Sequence, residues 1–150
     1  MTIPTPRLAL YVHWPFCRAK CPYCDFNSHV ETEIDHARFA GAYRRELEHM
    51  AQAYGAGRRL NSIFFGGGTP SLMPAWLVEG VIADADRLFG LVPDIEITAE
   101  ANPTSAEAKT FTGFRAAGVN RLSLGVQSFH DEALDLLGRE HSAQEALAAL

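Results

Sequence analysis

The sequence contains little cysteine, no long apolar run and no excess of positive charge. Its three cysteines, Cys17, Cys21 and Cys24, are odd in number and grouped in one segment, which argues against a disulfide framework and favours a reduced metal site. No apolar stretch approaches the roughly 18 residues that span a bilayer. The first residues also lack the charged and then apolar order of a signal peptide, so we expect a cytoplasmic protein without a membrane span.

The balance of charge argues against nucleic acid as a partner. Acidic residues outnumber basic ones by 18 to 13, the formal net charge is −5, and the basic residues are scattered along the chain. A nucleic-acid-binding surface needs basic residues gathered in a stripe that follows the phosphates. With 47% hydrophobic and 21% charged residues, the chain of 150 residues instead has the composition of a globular domain able to bury one core.

Short apolar strands alternate with longer helical segments, which is typical of repeated βα units around a parallel sheet. The predicted strands cover residues 8–14, 62–65, 95–100 and 121–125. Helices are predicted over residues 34–54, 74–89, 104–118 and 131–137, and from residue 142 onward. Thr104 with Glu107, and Ser142 with Glu145, have the spacing of capping boxes. The sequence therefore predicts an α/β fold with four βα units.

The first predicted helix carries an apolar stripe with residues three and four positions apart. The stripe comprises Phe39, Tyr43, Leu47, Met50 and Tyr54. This spacing places the five side chains on one face of the helix, and four polar residues face away from it, namely Arg44, Arg45, Glu48 and His49.

The cysteines have the spacing C-x3-C-x2-C, which lets three thiolates converge from one loop and leaves a fourth coordination position without a cysteine. Thiolates select zinc or iron-sulfur clusters. On spacing alone, a structural zinc site completed by a histidine such as His29 stays open as an alternative. The chain has no second C-x2-C pair and no paired histidines downstream, which favours the cluster.

Two further motifs follow predicted strands. The segment Gly66-Gly67-Gly68-Thr69 exposes backbone groups that a small polar ligand can approach closely, although it is neither a P-loop nor a dinucleotide fingerprint. Glu100 ends the third strand, where a carboxylate can accept hydrogen bonds from ribose hydroxyls or from an ammonium group. Barrel-type sheets build their sites from the C-terminal ends of neighbouring strands, so these motifs are expected to share one site with the cysteines.

At this point the residues show a family resemblance. The segments YVHWPFC, ending at Cys17, and CPYCDF, beginning at Cys21, resemble the opening of the oxygen-independent coproporphyrinogen III oxidase group of radical S-adenosylmethionine (SAM) proteins. The resemblance implies a partial (β/α) radical SAM barrel of the TIM type, with its first four βα units present. It also implies that Cys17, Cys21 and Cys24 hold a [4Fe-4S] cluster whose fourth iron is chelated by SAM.

The same resemblance implies a set of SAM contacts. These are Tyr11, Tyr23, Gly67, Gly68, Thr69, Glu100, Gln127 and Arg139, of which Gln127 and Arg139 match positions that contact a second SAM molecule. Without the resemblance, core packing for Tyr11 and loop packing for Tyr23 would be the preferred interpretations. The family does not identify a catalytic side chain among them.

The family also implies a longer protein than the sequence given. The chain ends inside the last predicted helix after only four predicted strands. We therefore expect residues 1–150 to be the N-terminal part of a radical SAM core domain, followed by the rest of the barrel and a C-terminal domain. We also expect this part to be poorly stable in isolation.

Two branches of the family remain as functional hypotheses. The oxidases place another cysteine two positions after the third one, whereas this chain has Phe26 there, and the short stretch before Cys17 leaves no room for the N-terminal extension of the oxidases. Both features favour the HemW branch of heme chaperones, which implies binding of heme and its delivery to acceptor proteins. The alternative is oxidative decarboxylation of coproporphyrinogen III propionates to vinyl groups. Either function needs an electron donor, and none of the six histidines is singled out as a heme ligand.

Overall fold

The computed structural model describes residues 7–104 and 110–150, and the expected alternation of strands and helices is present throughout. The elements are β1 (Leu8–Trp14), β2 (Phe16–Cys17), β3 (His29–Val30), α1 (His36–Tyr54), β4 (Leu60–Gly67), a 3-10 turn (Pro70–Leu72), α2 (Ala75–Phe89), β5 (Leu91–Ala101), α3 (Phe111–Ala116), β6 (Arg121–Leu124), α4 (Asp131–Leu136) and α5 (Ala143–Ala148).

The main sheet has the strand order β1-β4-β5-β6, and every neighbouring pair is parallel. Its register places Tyr11 opposite Phe64, and Phe64 opposite Thr98. The two short strands β2 and β3 form a separate parallel pair beside it. The predicted α/β fold with a four-stranded parallel sheet is confirmed, and it corresponds to the first part of a barrel.

The hydrophobic core lies between one face of the sheet and the helices α1 and α2. Alternate strand residues supply the sheet side, namely Val12, Trp14, Ile63, Phe65, Ile97 and Ala99. Because side chains in a strand alternate between faces, Tyr11, Phe64 and Glu100 lie on the opposite face. That face is more polar and more open, and Tyr11 is 57% exposed there. The two faces therefore differ, since one packs against the helices and the other is partly open.

Helix α1 contacts the core through only part of its apolar stripe. Leu47 is buried, and Phe39 and Tyr43 pack against the core. Met50 and Tyr54, which belong to the same stripe, are 39% and 58% exposed. The periodicity identifies the face of a helix but not where the packed region ends, and here the core contacts of α1 end at Leu47.

Side-chain caps fix two of the helix starts. At α1 the Asp35 carboxylate accepts the Arg38 N–H at 2.9 Å. At α5 the predicted capping box is present, because Ser142 Oγ accepts the Glu145 N–H and the Glu145 carboxylate accepts the Ser142 N–H. The other predicted box, at Thr104, includes residues outside those described. None of the described helices is both long and apolar enough to cross a membrane.

The salt bridge between Arg44 and Asp84 joins α1 to α2, and Arg87 of α2 shares the same carboxylate. Asp84 accepts hydrogen bonds from Arg87 Nη2 at 2.9 Å and from Arg44 Nε at 3.0 Å. The hydrogen bond from Arg87 is the largest cause of a pKa of Asp84 below its usual 3.8, and burial opposes it. The folded state thus favours the ionised form of Asp84. This stabilisation is present above the pKa of the unfolded state and is lost as pH falls through the pKa of the folded state.

Asp84→Asn is therefore expected to lower the free energy of unfolding by less than about 1 kcal/mol near neutral pH, since both arginines are largely exposed and solvent screens the pair. The difference should vanish at a pH well below 3.8, where Asp84 is protonated in both states. Urea denaturation at the two pH values measures it. Glu79→Gln on the same helix, where the described residues show no ion pair, is the control and should leave stability nearly unchanged.

Candidate functional site

The cysteine loop follows β1 and closes on itself through backbone hydrogen bonds. The pairing of β2 with β3 is completed by the His29 N–H, which donates to the Pro15 carbonyl at 2.7 Å. Between these strands the Cys24 N–H donates to the Cys21 carbonyl at 3.0 Å and forms a tight turn. All three cysteines are free and half-buried. The loop therefore returns to its starting strand before α1 begins.

One cavity of about 320 Å³ lies between this loop and the C-terminal ends of β4, β5 and β6. All three cysteines line it. So do Tyr23, Gly67, Gly68, Thr69, Glu100, Gln127 and Arg139. Strands of a parallel sheet end at the same edge, which brings together residues that are far apart in the chain. Of the predicted site residues, only Tyr11 is outside this lining.

The glycines that end β4 allow the cysteine loop to approach closely. A Cβ atom on Gly68 would lie 2.6 Å from the carbonyl oxygen of Phe16 and 3.0 Å from the Sγ atom of Cys17. The Gly68 N–H donates to the carbonyl of Trp14 at 2.6 Å, and the Thr69 N–H donates to that of Phe16 at 2.8 Å. A larger residue at position 68 would therefore have to move the backbone beside the first cysteine.

Gly68→Ala is expected to displace Cys17 and to lower the iron bound after anaerobic reconstitution severalfold, because the added methyl group meets backbone rather than a flexible side chain. Iron and sulfide analysis measures the effect. Gly80→Ala is the matched control, since nothing lies within 4 Å of a Cβ atom there. Equal iron contents in the two variants would contradict a role for the close approach.

Glu100 stands at the end of β5 beside the glycine turn. Its Oε2 atom accepts the Gly67 N–H at 3.2 Å. Gly67 has a φ of 115°, which belongs to the left-handed region that favours glycine. The carboxylate also contributes, after burial, to raising the pKa of the Tyr11 hydroxyl. Glu100 thus places a negative charge at the cavity wall, next to a backbone turn.

Tyr11 lies on the same face of the sheet as Glu100 but is not among the lining residues. Its ring stacks on Phe64 with a centroid distance of 6.1 Å, and its hydroxyl is 3.5 Å from His13 Nδ1. A Cβ atom on Gly66 would lie 2.9 Å from the Tyr11 ring, so the glycine also makes room for this side chain. Contact between Tyr11 and SAM stays a prediction.

Arg139 joins the cysteine loop to the ends of β5 and β6. Its Nη1 atom donates to Cys21 Sγ at 3.4 Å and to the Tyr23 hydroxyl at 3.3 Å. Its Nη2 atom donates to the Gly125 carbonyl at 2.8 Å and to Asn102 Oδ1. Burial raises the pKa of Tyr23, and the positive charge of Arg139 opposes that shift. The guanidinium therefore provides a fixed positive charge at the cavity wall.

Gln127 reaches the cavity through an unusual backbone conformation. Its φ is 64°, which is uncommon for a residue other than glycine and is found at sites where the surrounding structure imposes it. A Cβ atom on Gly125 would lie 3.5 Å from Gln127 Nε2 and 3.4 Å from Arg139 Nη2. The turn after β6 therefore positions two predicted SAM contacts around one glycine.

The sequence did not single out Asn102 and Gly125, both of which line the cavity. Asn102 is two residues after Glu100, and this spacing at a strand end was the available signal. The contact between Asn102 and Arg139 spans 37 residues, so it depends on the sheet and not on local spacing.

The zinc alternative receives no support from the position of His29. Its Nε2 atom is 3.1 Å from Asn27 Oδ1, and the residue does not line the cavity. Among residues 7–104 and 110–150, no three side chains of His, Cys, Asp or Glu stand close enough to hold one metal ion. A single zinc ion needs all its ligands within about 2.0–2.3 Å, whereas the thiolates of a cluster bind different irons.

Comparisons with known proteins agree with this geometry. The chain is 45% identical over 148 residues to the protein named heme chaperone HemW of Escherichia coli, covering 98% of this chain and 39% of that protein. It is 46% identical over 144 residues to the mitochondrial radical S-adenosyl methionine domain-containing protein 1 of Bos taurus, covering 96% of this chain and 32% of that protein. The chain thus spans about a third of the length of these relatives.

The fold matches a solved structure described as the radical SAM enzyme coproporphyrinogen III oxidase (HemN) from Escherichia coli. The TM-score is 0.84 at 32% sequence identity, and the match covers 98% of this chain and 34% of that one. The family description "Radical SAM superfamily" matches residues 11–150. That range contains the cysteine loop, all the strand ends around the cavity and Arg139. The chain therefore belongs to the radical SAM superfamily.

Proposed function

We propose that this chain supplies the cofactor site of a heme chaperone, which binds heme and delivers it to acceptor proteins. The observation that carries the proposal is the single cavity in which three free thiols meet the glycine turn, Glu100 and Arg139. The chain is a radical SAM protein that closely resembles proteins named heme chaperone HemW, and this resemblance supports the heme-handling part.

Membership of the superfamily implies a [4Fe-4S] cluster and SAM. The residues present fit the cluster, because three free thiols converge from one loop and Gly68 leaves room beside Cys17 for a close approach. We assign Cys17, Cys21 and Cys24 as its ligands, which leaves one iron free of protein thiolates. When bound, the cluster supplies the single electron for reductive cleavage of SAM.

The walls of the cavity carry charges that complement SAM. Glu100 offers a carboxylate for hydroxyl or ammonium groups, and the Arg139 guanidinium offers a positive charge that attracts a carboxylate. Gly67, Gly68 and Thr69 leave backbone groups open to the methionine part, while Tyr23 and Gln127 border the same space. In this arrangement the chain binds and orients SAM, and the cofactor carries the chemistry.

Phe26 supports the chaperone over the oxidase. It lines the cavity and is 61% exposed, at the position where the oxidases have a further cysteine. An apolar ring cannot serve as a second thiol, but it can pack against an apolar ligand. The coproporphyrinogen oxidase stays the second candidate because the described fold matches that enzyme at a TM-score of 0.84.

A cytoplasmic location stays a prediction from the sequence. We further infer that residues 1–150 are the N-terminal part of a radical SAM core domain. The support is the similarity to relatives about three times as long and the order of four βα units along one sheet. In this proposal the partners are heme or a porphyrinogen, a heme acceptor such as a respiratory enzyme, and an electron donor.

The test uses the full-length protein with its cluster reconstituted anaerobically. We expect it to bind heme in an absorbance titration and to transfer that heme to a heme-free acceptor protein. In parallel, the protein is incubated with SAM, a reductant and coproporphyrinogen III. Protoporphyrinogen formation without heme transfer would replace the chaperone by the oxidase. If the protein shows neither heme transfer nor protoporphyrinogen formation, both candidate functions are rejected.

A further inference from the structure

Four buried side-chain polar atoms have no hydrogen-bond partner among the described protein residues, and two of them belong to residues that line one small cavity beside the cysteine loop. These two are Arg139 Nε and His141 Nδ1. His141 is 5% exposed, so bulk solvent does not reach it. Leaving a buried polar atom unpaired costs about 1–3 kcal/mol. Native structures rarely retain such atoms unless an ordered water or a ligand completes them.

The two atoms have complementary needs. His141 Nε2 is 3.0 Å from the carbonyl oxygen of Val126, which can only accept, so Nε2 carries the proton in this hydrogen bond. In the neutral imidazole, Nδ1 is then an acceptor that requires a donor. Arg139 Nε can only donate and requires an acceptor. A water molecule supplies both an acceptor and a donor.

A cavity that both residues line has room for one water. A small cavity of about 30 Å³ is lined by both Arg139 and His141, together with Cys21, Asn102 and Thr104. A water needs at least about 10–15 Å³ on this measure, and the cavity walls are polar. The small cavity lies next to the large one, because Arg139 and Cys21 line both.

The backbone holds this segment against the cysteine loop. Gly138 has a φ of 64°, and a Cβ atom there would lie 2.9 Å from Pro22 Cδ. The Arg139 N–H donates to the Leu134 carbonyl at 2.9 Å, which anchors the segment to the end of α4. The positions of Arg139 and His141 are therefore set by packing before any ligand binds.

We propose that one buried water accepts from Arg139 Nε and donates to His141 Nδ1, which makes His141 a positioning residue for the Arg139 guanidinium. The other donors of Arg139 already hold Cys21, Tyr23, Asn102 and Gly125. The water fixes the remaining donor, so the planar group cannot rotate away from the cofactor cavity. The functional part of this inference rests on the proposed SAM site.

Three substitutions of His141 separate the water from the contact with Val126. His141→Asn keeps an acceptor near the position of Nδ1 but loses the donor to Val126. His141→Gln keeps a donor near Nε2 but loses the Nδ1 acceptor, and His141→Phe loses both. We expect the Asn variant to retain most of the affinity for SAM, and the Gln and Phe variants to bind SAM about tenfold more weakly, equivalent to about 1.4 kcal/mol.

The measurement is the change in the spectrum of the reduced cluster as SAM is added to the full-length protein, with iron content checked in each variant. A purely structural role through Val126 predicts the opposite order, with Gln retained and Asn impaired, and would overturn the inference. Equal affinities for SAM in all three variants would also overturn the inference.

A second measurement keeps this inference separate from the proposed function. A high-resolution crystal structure of the unmodified protein is expected to show a water within hydrogen-bonding distance of both Arg139 Nε and His141 Nδ1. Its absence would overturn the water bridge even if SAM binds. If the unmodified protein gives no spectral response to SAM, the proposed cofactor site fails, and the crystal structure still decides whether the water is present.

Discussion

Replacement of any one of Cys17, Cys21 and Cys24 by serine is expected to abolish stable cluster binding. The three residues line one cavity and are the only cysteines among residues 1–150, so no other thiol in this part of the protein can take over a lost ligand. A serine hydroxyl is a harder and less acidic donor than a thiol and is a poor substitute toward iron-sulfur clusters. We expect bound iron after reconstitution to fall by about tenfold or more.

Iron and sulfide analysis, together with the electron paramagnetic resonance signal of the reduced protein, measures this loss. Asp25→Asn is a control from the same loop, since Asp25 is exposed and does not line the cavity. It should bind iron as the unmodified protein does. A serine variant with the normal iron content and the normal reduced signal would show that the assigned residue is not a ligand.

The second large effect is expected at Arg139, where alanine should weaken SAM binding roughly 100-fold, equivalent to about 3 kcal/mol. The positive charge of the guanidinium attracts the carboxylate of SAM in a cavity that is partly shielded from water. Removal of the side chain also takes away the donors that now reach Gly125 and Asn102. Titration of the reduced cluster with SAM measures the affinity.

Arg139→Lys keeps the positive charge but loses the forked donors, so its affinity for SAM should be intermediate. Arg45→Ala removes an exposed arginine from α1 and should leave SAM binding unchanged. Iron content has to be normal in each variant, because Arg139 also contacts Cys21. Unaltered SAM affinity in the alanine variant would remove Arg139 from the proposed binding site.

Local sequence patterns predicted the elements well where periodicity was regular. The first strand was predicted over residues 8–14 and is observed over Leu8–Trp14. The third strand was predicted to begin only at residue 95, because Pro93 and Asp94 are typical of a turn. In the structure β5 already begins at Leu91. The observed strand accommodates them with a φ of 57° at Asp94 and a register shift against β4.

The end of β4 illustrates a different limit. Glycines were assigned to a loop after residue 65, yet β4 continues to Gly67 because it pairs with β1 as far as Trp14. The short strands β2 and β3 were not predicted at all, since two residues carry no periodic signal. The sequence of one segment shows its strand propensity but not the strand with which it pairs.

The residues of the candidate site were easier to predict than their mutual contacts. The cysteines, the glycine turn and Glu100 could be placed at one edge of the sheet because parallel strands end together. The bonds of Arg139 to Cys21 and Asn102 join segments whose distance depends on the register of β5 with β6. The unpaired atoms of Arg139 and His141 likewise emerge only from the packed structure.

The backbone bonds that join the cysteine loop to the glycine turn have a consequence for the entropy of metal capture. Cys17 belongs to a paired strand, and the adjacent Phe16 carbonyl accepts the Thr69 N–H, so this first ligand is preorganised without iron. Cys24 is held mainly by one turn to Cys21. Ordering a backbone residue costs about 1–2 kcal/mol. Cys17 is therefore expected to need less ordering when the metal binds than Cys24 does.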